Sequence, residues 1–113
     1  MRPAVLSISA ERVVAPIRNT VLAHAGYGVI PATNAESGLK ILQQRHVSAM
    51  IIGHSVSARD QQKLCAEARK LGVPAVVMDP YEHIPHGGLE VHVNPLDGPE
   101  MFLDALATLV TRG

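Results

Sequence analysis

The sequence predicts one α/β domain of three layers, in which a parallel five-stranded sheet lies between two layers of helices. Short β-branched apolar runs, bounded by Gly, Pro, Ser or Asn, alternate with stretches of helical spacing. The third run, Ala49–Ile52, is apolar at every position, which is typical of a central strand covered on both faces. The five predicted strands are Val5–Ile8, Tyr27–Ile30, Ala49–Ile52, Ala75–Met78 and Val91–Val93.

Two of the predicted helices have a clear apolar face or a clear end. The third helix is expected from about Asp60 to Leu71, and Gly72 with Pro74 is its stop signal. The last helix has the i, i+3, i+4, i+7, i+8 spacing of an amphipathic helix docked on the sheet. Its apolar face comprises Phe102, Ala105, Leu106, Leu109 and Val110.

The other two helices contain residues that weaken them. Asn34 is the N-cap expected for the second helix, which includes Gly38 despite the low helix propensity of glycine. The first helix is expected over about Glu11 to Ala25, but Pro16 within it lacks a backbone N–H donor. This helix therefore either starts late, with the proline in its first turn, or kinks there.

Length and composition exclude several classes of protein. The 113 residues form one domain, 1–113, since a single hydrophobic core usually organises about 100–200 residues. Ten basic and ten acidic residues give zero formal charge, so we expect no nucleic-acid or membrane partner. Cys65 is the only cysteine, which excludes an internal disulfide and a multi-cysteine metal site. Because no apolar run approaches the roughly 18–20 residues of a bilayer span and no signal-peptide pattern starts the chain, we expect a cytoplasmic protein.

Six segments of the chain match a known family in order and spacing. They are Val5–Ile8, Ala25–Val29, Ala32–Leu42, Ser48–Gly53, Pro74–Met78 and Asn94–Leu96. Together they resemble the receiver domain of two-component response regulators, the CheY-like family, over nearly the whole chain. The resemblance implies a flavodoxin-like, doubly wound sheet of strand order 2-1-3-4-5 and a role in phosphorelay signal transduction. The stretch between the fourth and fifth strands is shorter than in the family and contains Pro85, so we expect a shortened or missing fourth helix.

The positions that carry the family's phosphoryl chemistry differ in this sequence. Receivers hold Mg²⁺ with an acidic pair after the first strand and with the phosphoacceptor aspartate after the third. By the resemblance, Ser9 and Ala10 replace the acidic pair, and Gly53 replaces the phosphoacceptor. The family's Thr or Ser and its Lys are also replaced, by Asp79 and by Asn94. This degenerate pocket, in which we expect neither a metal, a cofactor nor a catalytic residue, comprises Ser9, Ala10, Gly53, Asp79, Asn94 and Pro95.

Gly53 allows two interpretations. It is either a turn residue that permits an unusual backbone angle, or a gap through which a small ligand or a partner side chain enters the pocket. The sequence does not distinguish them.

Two further groups of residues could carry chemistry outside the pocket. His83, His86 and His92 with Glu82 suggest metal ligands, but chance proximity on a loop is the preferred interpretation. Cys65 lies in a helix beside Leu64 and is expected to be a buried, inert thiol.

The sequence therefore supports two hypotheses of function from different classes. The first is a degenerate receiver, not phosphorylated on aspartate, that binds a protein partner or a second copy of itself through its helix faces. The alternative is a small-ligand sensor that uses the pocket at the carboxyl ends of the strands. An enzyme is not expected, because no nucleophile is paired with a base and no phosphate-binding glycine loop is present.

Overall fold

The structure is a computed structural model, and it describes residues 2–10, 14–78, 90–94 and 98–112. Its strands are β1 (Ala4–Ile8), β2 (Gly28–Ala32), β3 (Ala49–Ile52), β4 (Ala75–Met78) and β5 (Glu90–Val93). Its helices are α1 (Val14–His24), α2 (Ala35–Gln44), α3 (Ala58–Leu71) and α4 (Pro99–Arg112).

The five strands form one parallel sheet in the order β2-β1-β3-β4-β5, which confirms the predicted topology. The helices lie on both faces of this sheet. Four helices within the described ranges fit the expected shortened or missing fourth helix, since β4 is followed by β5 and then by the last helix. Residues 79–89, which connect β4 to β5, lie outside the described ranges. Among the described residues, no helix has both the length and the apolar character that a membrane crossing requires.

Each face of the sheet has its own hydrophobic core. Because side chains alternate along a strand, Val5 of β1 packs with Leu22 of α1 and Leu106 of α4 on one face. On the other face, Ile8 of β1 packs with the residues of α2 and α3, including Leu64. The two faces are therefore built by adjacent residues of the same strands.

The helix termini explain where the sequence predictions were right and where they shifted. Asn34 caps α2 as predicted, since its Oδ1 accepts a hydrogen bond from the Ser37 N–H at 2.8 Å. The described part of α1 begins at Val14, so Pro16 lies in the first turn, where a helix does not use the missing N–H. α3 begins two residues before the predicted start, because the Ser57 hydroxyl caps it.

Gly38 is explained by packing between α2 and β1. A Cβ atom at this position would lie 2.7 Å from Cδ1 of Ile8 and 3.2 Å from Cδ2 of Leu64. A larger residue here would require the buried Ile8 side chain to shift, so glycine favours the close packing of α2 on the sheet, and this contact offsets its low helix propensity.

Candidate functional site

The predicted pocket lies where β1 and β3 end side by side. The Gly53 N–H donates to the carbonyl oxygen of Ile8 at 2.8 Å, and the Ser9 N–H donates to that of Ala32 at 3.0 Å. The Ala10 N–H, in turn, donates to Oγ of Ser55 at 3.2 Å. The first two bonds extend the pairing of β1 with β3 and with β2, and the third ties the chain after β1 to the turn after β3. Ser9, Ala10 and Gly53 are thus held at one edge of the sheet, as the resemblance implied.

Asn94, the other described member of the predicted pocket, does not line the same cavity as Ser9 and Ala10. Asn94 follows β5 and lines a cavity of about 320 Å³ with Met101, Asp104 and neighbouring residues of α4. Ser9 and Ala10 line a different cavity. Asp79 and Pro95 lie outside the described ranges, so their place in the pocket remains a prediction.

Gly53 fits neither of the two interpretations that the sequence allowed. Its backbone does not have a positive φ, unlike that of Gly26, Gly72 and Gly98, so no unusual angle requires a glycine. Nor is the space beside it open, because a Cβ atom there would lie 3.1 Å from Oγ of Ser9 and 3.2 Å from the Ile8 carbonyl oxygen. A side chain at position 53 would therefore require the buried Ser9 or the end of β1 to shift by a few tenths of an ångström.

The metal hypothesis draws no support from the described part of the chain. No group of three His, Cys, Asp or Glu side chains within the described ranges is arranged to hold an ion. Of the proposed ligands, only His92 is described, on β5, whereas Glu82, His83 and His86 lie outside.

The sequence analysis missed a cleft, lined more by apolar than by polar atoms, that Ser9 and Ala10 share with residues of α1 and β2. It has a volume of about 500 Å³ and lies between α1 and the carboxyl ends of β1 and β2. Ser7 of β1 is 2% exposed, and its hydroxyl donates to Oδ1 of Asn19 on α1 at 2.7 Å. The available signal was a serine in an otherwise apolar strand, Val5–Ile8.

A second polar group lies on the opposite face of the sheet, between α3 and β5. The Glu90 side chain of β5 is only 6% exposed, and its carboxylate forms an ion pair with the half-exposed Arg69 of α3. Cys65, one turn before Arg69, is also buried and hydrogen-bonds to Glu90. Burial first, and then the Glu90 carboxylate, raise the pKa of the Cys65 thiol to about 12. The thiol is therefore protonated at neutral pH, which agrees with the predicted inert cysteine.

This raised pKa makes stability depend on pH on the alkaline side. Unfolded chains lose the thiol proton near the ordinary pKa of 9.0, whereas the folded chain keeps it up to about 12. The free energy of unfolding should therefore be unaffected by this group below pH 9 and fall by about 1.4 kcal/mol per pH unit above it. Urea unfolding of the wild type and Cys65→Ala between about pH 8 and pH 10 measures this.

The Cys65→Ala variant should lack this decline. The range ends near pH 10 because burial also raises the pKa of the Tyr27 hydroxyl, which adds a similar effect above its ordinary value of 10.0. Parallel alkaline slopes in the two proteins would contradict the assignment to Cys65.

Comparisons with known proteins agree with the geometry at the level of the fold. No protein-family model matches the sequence, and no curated protein matches it either. A response regulator receiver protein from Sinorhizobium medicae has a TM-score of 0.84 at 12% identity, over 97% of this chain and 95% of that chain. The receiver domain of the Francisella response regulator 1452 has a TM-score of 0.82 at 14% identity, over 98% of both chains.

A third similar structure contains a bound magnesium ion. It is the receiver domain of a sensor histidine kinase from Pseudomonas aeruginosa, with a magnesium ion coordinated in its active site cleft. Its TM-score is 0.83 at 11% identity, over 98% of this chain and 99% of that chain. The strand order, the two helix layers and these near-complete superpositions lead to one conclusion: the chain has the fold of the response regulator receiver domains.

Proposed function

We propose that this chain is a degenerate receiver domain of two-component signalling, which is not phosphorylated on aspartate and acts as a protein-interaction module rather than an enzyme. The observation that carries the proposal is the contact between Ser9 and Gly53. By the resemblance, Gly53 stands at the phosphoacceptor position and has no side chain. Ser9, whose position in the family supplies a metal carboxylate, lies so close that a Cβ atom at position 53 would be 3.1 Å from its Oγ.

The chemistry of phosphoryl transfer explains why these replacements matter. The reaction needs an oxygen nucleophile, a Mg²⁺ ion held by oxygen ligands, and positive charge to neutralise the phosphoryl oxygens. Ser9 and Ala10 provide no carboxylate, Gly53 provides no nucleophile, and Asn94 is neutral where the family has a lysine. The residues that would meet these three requirements are thus replaced at the ends of three different strands.

The loss of phosphoryl recognition can be measured by amide-resolved NMR of the isolated chain. Titration with Mg²⁺, and then with Mg²⁺ plus beryllofluoride as a phosphoryl mimic, should leave the resonances of Ser9, Gly53 and Asn94 unshifted. Beryllofluoride without Mg²⁺ controls for nonspecific effects. Saturable shifts at these three residues would show that the pocket still binds the metal or the phosphoryl group, and the proposal would fail.

The outer face of α1 supports an interaction role. Ile17 is 62% exposed, whereas the only charged residue among the described side chains of this helix, Arg18, is 6% exposed. The exposed residues of α1 are Pro16, Ile17, Thr20, Ala23 and His24. A surface helix usually exposes charged residues. The described exposed residues of α1 include none, although the same helix buries Leu22 in the core.

We infer that the partner on this face is a second copy of the chain. Two identical faces without formal charge can pack together with no like-charge repulsion and no unpaired charge, and a two-fold contact places Ile17 near its counterpart. A strongly charged partner would meet no opposite charge among the described exposed residues of α1.

Self-association through α1 is tested by sedimentation velocity from micromolar to millimolar concentration. The wild type should show a concentration-dependent dimer, and Ile17→Lys should remain monomeric because it places two like charges in the contact. Leu71→Lys is the matched control, since Leu71 is also exposed but lies on α3, on the other face of the sheet. A wild type that stays monomeric throughout, or an equal effect of both variants, would refute a contact through α1.

A further inference from the structure

The C-termini of α2 and α3 lie side by side at the amino ends of the strands, away from the predicted pocket. Both helices connect parallel strands of one sheet, so they run in the same direction and end at the same pole of the domain. A groove of about 290 Å³ lies between these two helix ends. It is lined by Leu42, Gln43, Gln44, Arg45, His46, Val47, Leu71 and Val73, all within the continuously described range 14–78.

Leu71 is an exposed apolar residue that the end of α3 does not require. The helix ends at Gly72, whose φ of 71° is left-handed, and the Val73 N–H donates to the Ala68 carbonyl oxygen at 2.8 Å. The residues that make the apolar contact typical of this helix end, Val73 and Ala68, are both buried in one core cluster. Leu71 is not one of them, and its 48% exposed side chain forms an apolar wall of the groove.

Basic side chains border this apolar wall. Arg45, directly after α2, lines the groove with His46, and Lys70 precedes Leu71 in the last turn of α3. All three basic residues are exposed, and within the described part of the chain neither Arg45 nor Lys70 forms an ion pair. The acidic residue nearest in the chain to a lining residue is Glu67, one turn before Leu71, and it does not line the groove.

The size of the groove indicates what it can hold. Its volume of about 290 Å³ is just below the range of about 300–1,000 Å³ typical of small-molecule sites, so it fits a side chain better than a whole ligand. The exposed Gln43 and Gln44 add amide groups that can hydrogen-bond to a peptide backbone. Positive charge at a helix C-terminus also stabilises the helix itself, but that effect accounts for neither the groove nor the exposed Leu71.

From this arrangement we propose that the groove between the ends of α2 and α3 binds a partner protein through an acidic segment that contains one large apolar side chain. The apolar side chain packs against Leu71 in the groove, and the carboxylates on either side of it pair with Arg45 and Lys70. The groove belongs to the layer of α2 and α3, whereas the proposed dimer contact is on α1, on the other face of the sheet. The two contacts share no residue, so neither depends on the other.

Amide-resolved NMR titration of the whole chain with three capped peptides tests this proposal. The first peptide has one leucine with two glutamates on each side, the second has serine in place of the leucine, and the third has lysines in place of the glutamates. The first should give saturable shifts at Arg45, Leu71 and Val73, with an affinity that falls as salt is added. The other two should bind at least about tenfold more weakly.

Three results of this titration would overturn the proposal. They are the absence of saturable shifts with the first peptide, equal binding of either of the other peptides, and shifts at the same residues when the chain is concentrated without peptide. The last result would assign the groove to a second copy of the chain.

Two pairs of variants separate the assigned contacts from a general effect on folding. Leu71→Ser should weaken binding of the first peptide by about tenfold, whereas Met101→Ser, at a residue of equal exposure on α4, should not change it. Arg45→Glu should weaken it as well and should bind the lysine peptide more tightly than the wild type does, a gain that a merely structural role would not produce. Arg59→Glu, at an exposed cation in the first turn of α3, should do neither. Equal effects within either pair would overturn the assigned contacts, whether or not the chain dimerises through α1.

Discussion

Replacing Gly53 with aspartate is expected to destabilise the domain by about 3 kcal/mol, and not to create a working phosphoacceptor. The new Cβ atom would lie 3.1–3.2 Å from Oγ and Cβ of Ser9 and from the Ile8 carbonyl oxygen. One of these neighbours is backbone in a central strand and cannot move freely. The carboxylate would also enter a buried position, where Ser9 and Ala10 offer no positive charge. Urea unfolding monitored by circular dichroism measures the loss.

Gly28→Asp provides the matched control for this substitution. Gly28 is also at a strand end, but a Cβ atom there would have no neighbour closer than 3.8 Å. This variant should lose much less stability. The prediction fails if Gly53→Asp is as stable as Gly28→Asp, or if it acquires saturable NMR shifts with Mg²⁺ and beryllofluoride.

Removing the Arg69 guanidinium should lower the free energy of unfolding by a similar amount, but through a different mechanism. In Arg69→Met the Glu90 carboxylate, 6% exposed, remains buried without its cation. Removing one partner of a buried ion pair costs about 3–5 kcal/mol of stability. Because Arg69 is half exposed, we expect a loss at the lower end, about 3 kcal/mol. Equilibrium urea unfolding at neutral pH gives the value directly.

The double variant Arg69→Met with Glu90→Gln shows whether the loss of stability comes from the unpaired Glu90 carboxylate or from lost packing. Because the double variant removes both charges of this ion pair, it should be more stable than Arg69→Met alone. Lys70→Met is the control for removing a neighbouring cation, since Lys70 is exposed, and it should change stability by less than about 0.5 kcal/mol. A double variant no more stable than Arg69→Met would show that the cost comes from packing.

The fold could be predicted from the sequence because its signals are local. The bounds of β3 and β4 agree with the apolar runs Ala49–Ile52 and Ala75–Met78. β2 extends two residues beyond the predicted Ile30, because an edge strand tolerates Pro31. The local sequence pattern thus located each strand, whereas the end of β2 depends on its position at the edge of the sheet.

The candidate site could be predicted only in part, because its geometry depends on residues distant in the chain. The resemblance correctly placed Ser9 and Gly53 at neighbouring strand ends, but the pairing of β1 with β3 decides that their atoms meet so closely. The hydrogen bond between Ser7 and Asn19 likewise requires the packing of α1 on the sheet. No periodicity in the sequence encodes such distances.

Pro31 has a consequence for how the domain behaves in concentrated solution. In a parallel strand, successive backbone groups point alternately to the two neighbours, and the Gly28 N–H of β2 is directed inward, to the Pro3 carbonyl oxygen. By this alternation position 31 faces outward, at the free edge of the sheet. The proline removes the amide donor there, so an added strand from another molecule would lack a hydrogen bond. Pro31 therefore opposes the addition of a further strand at this edge.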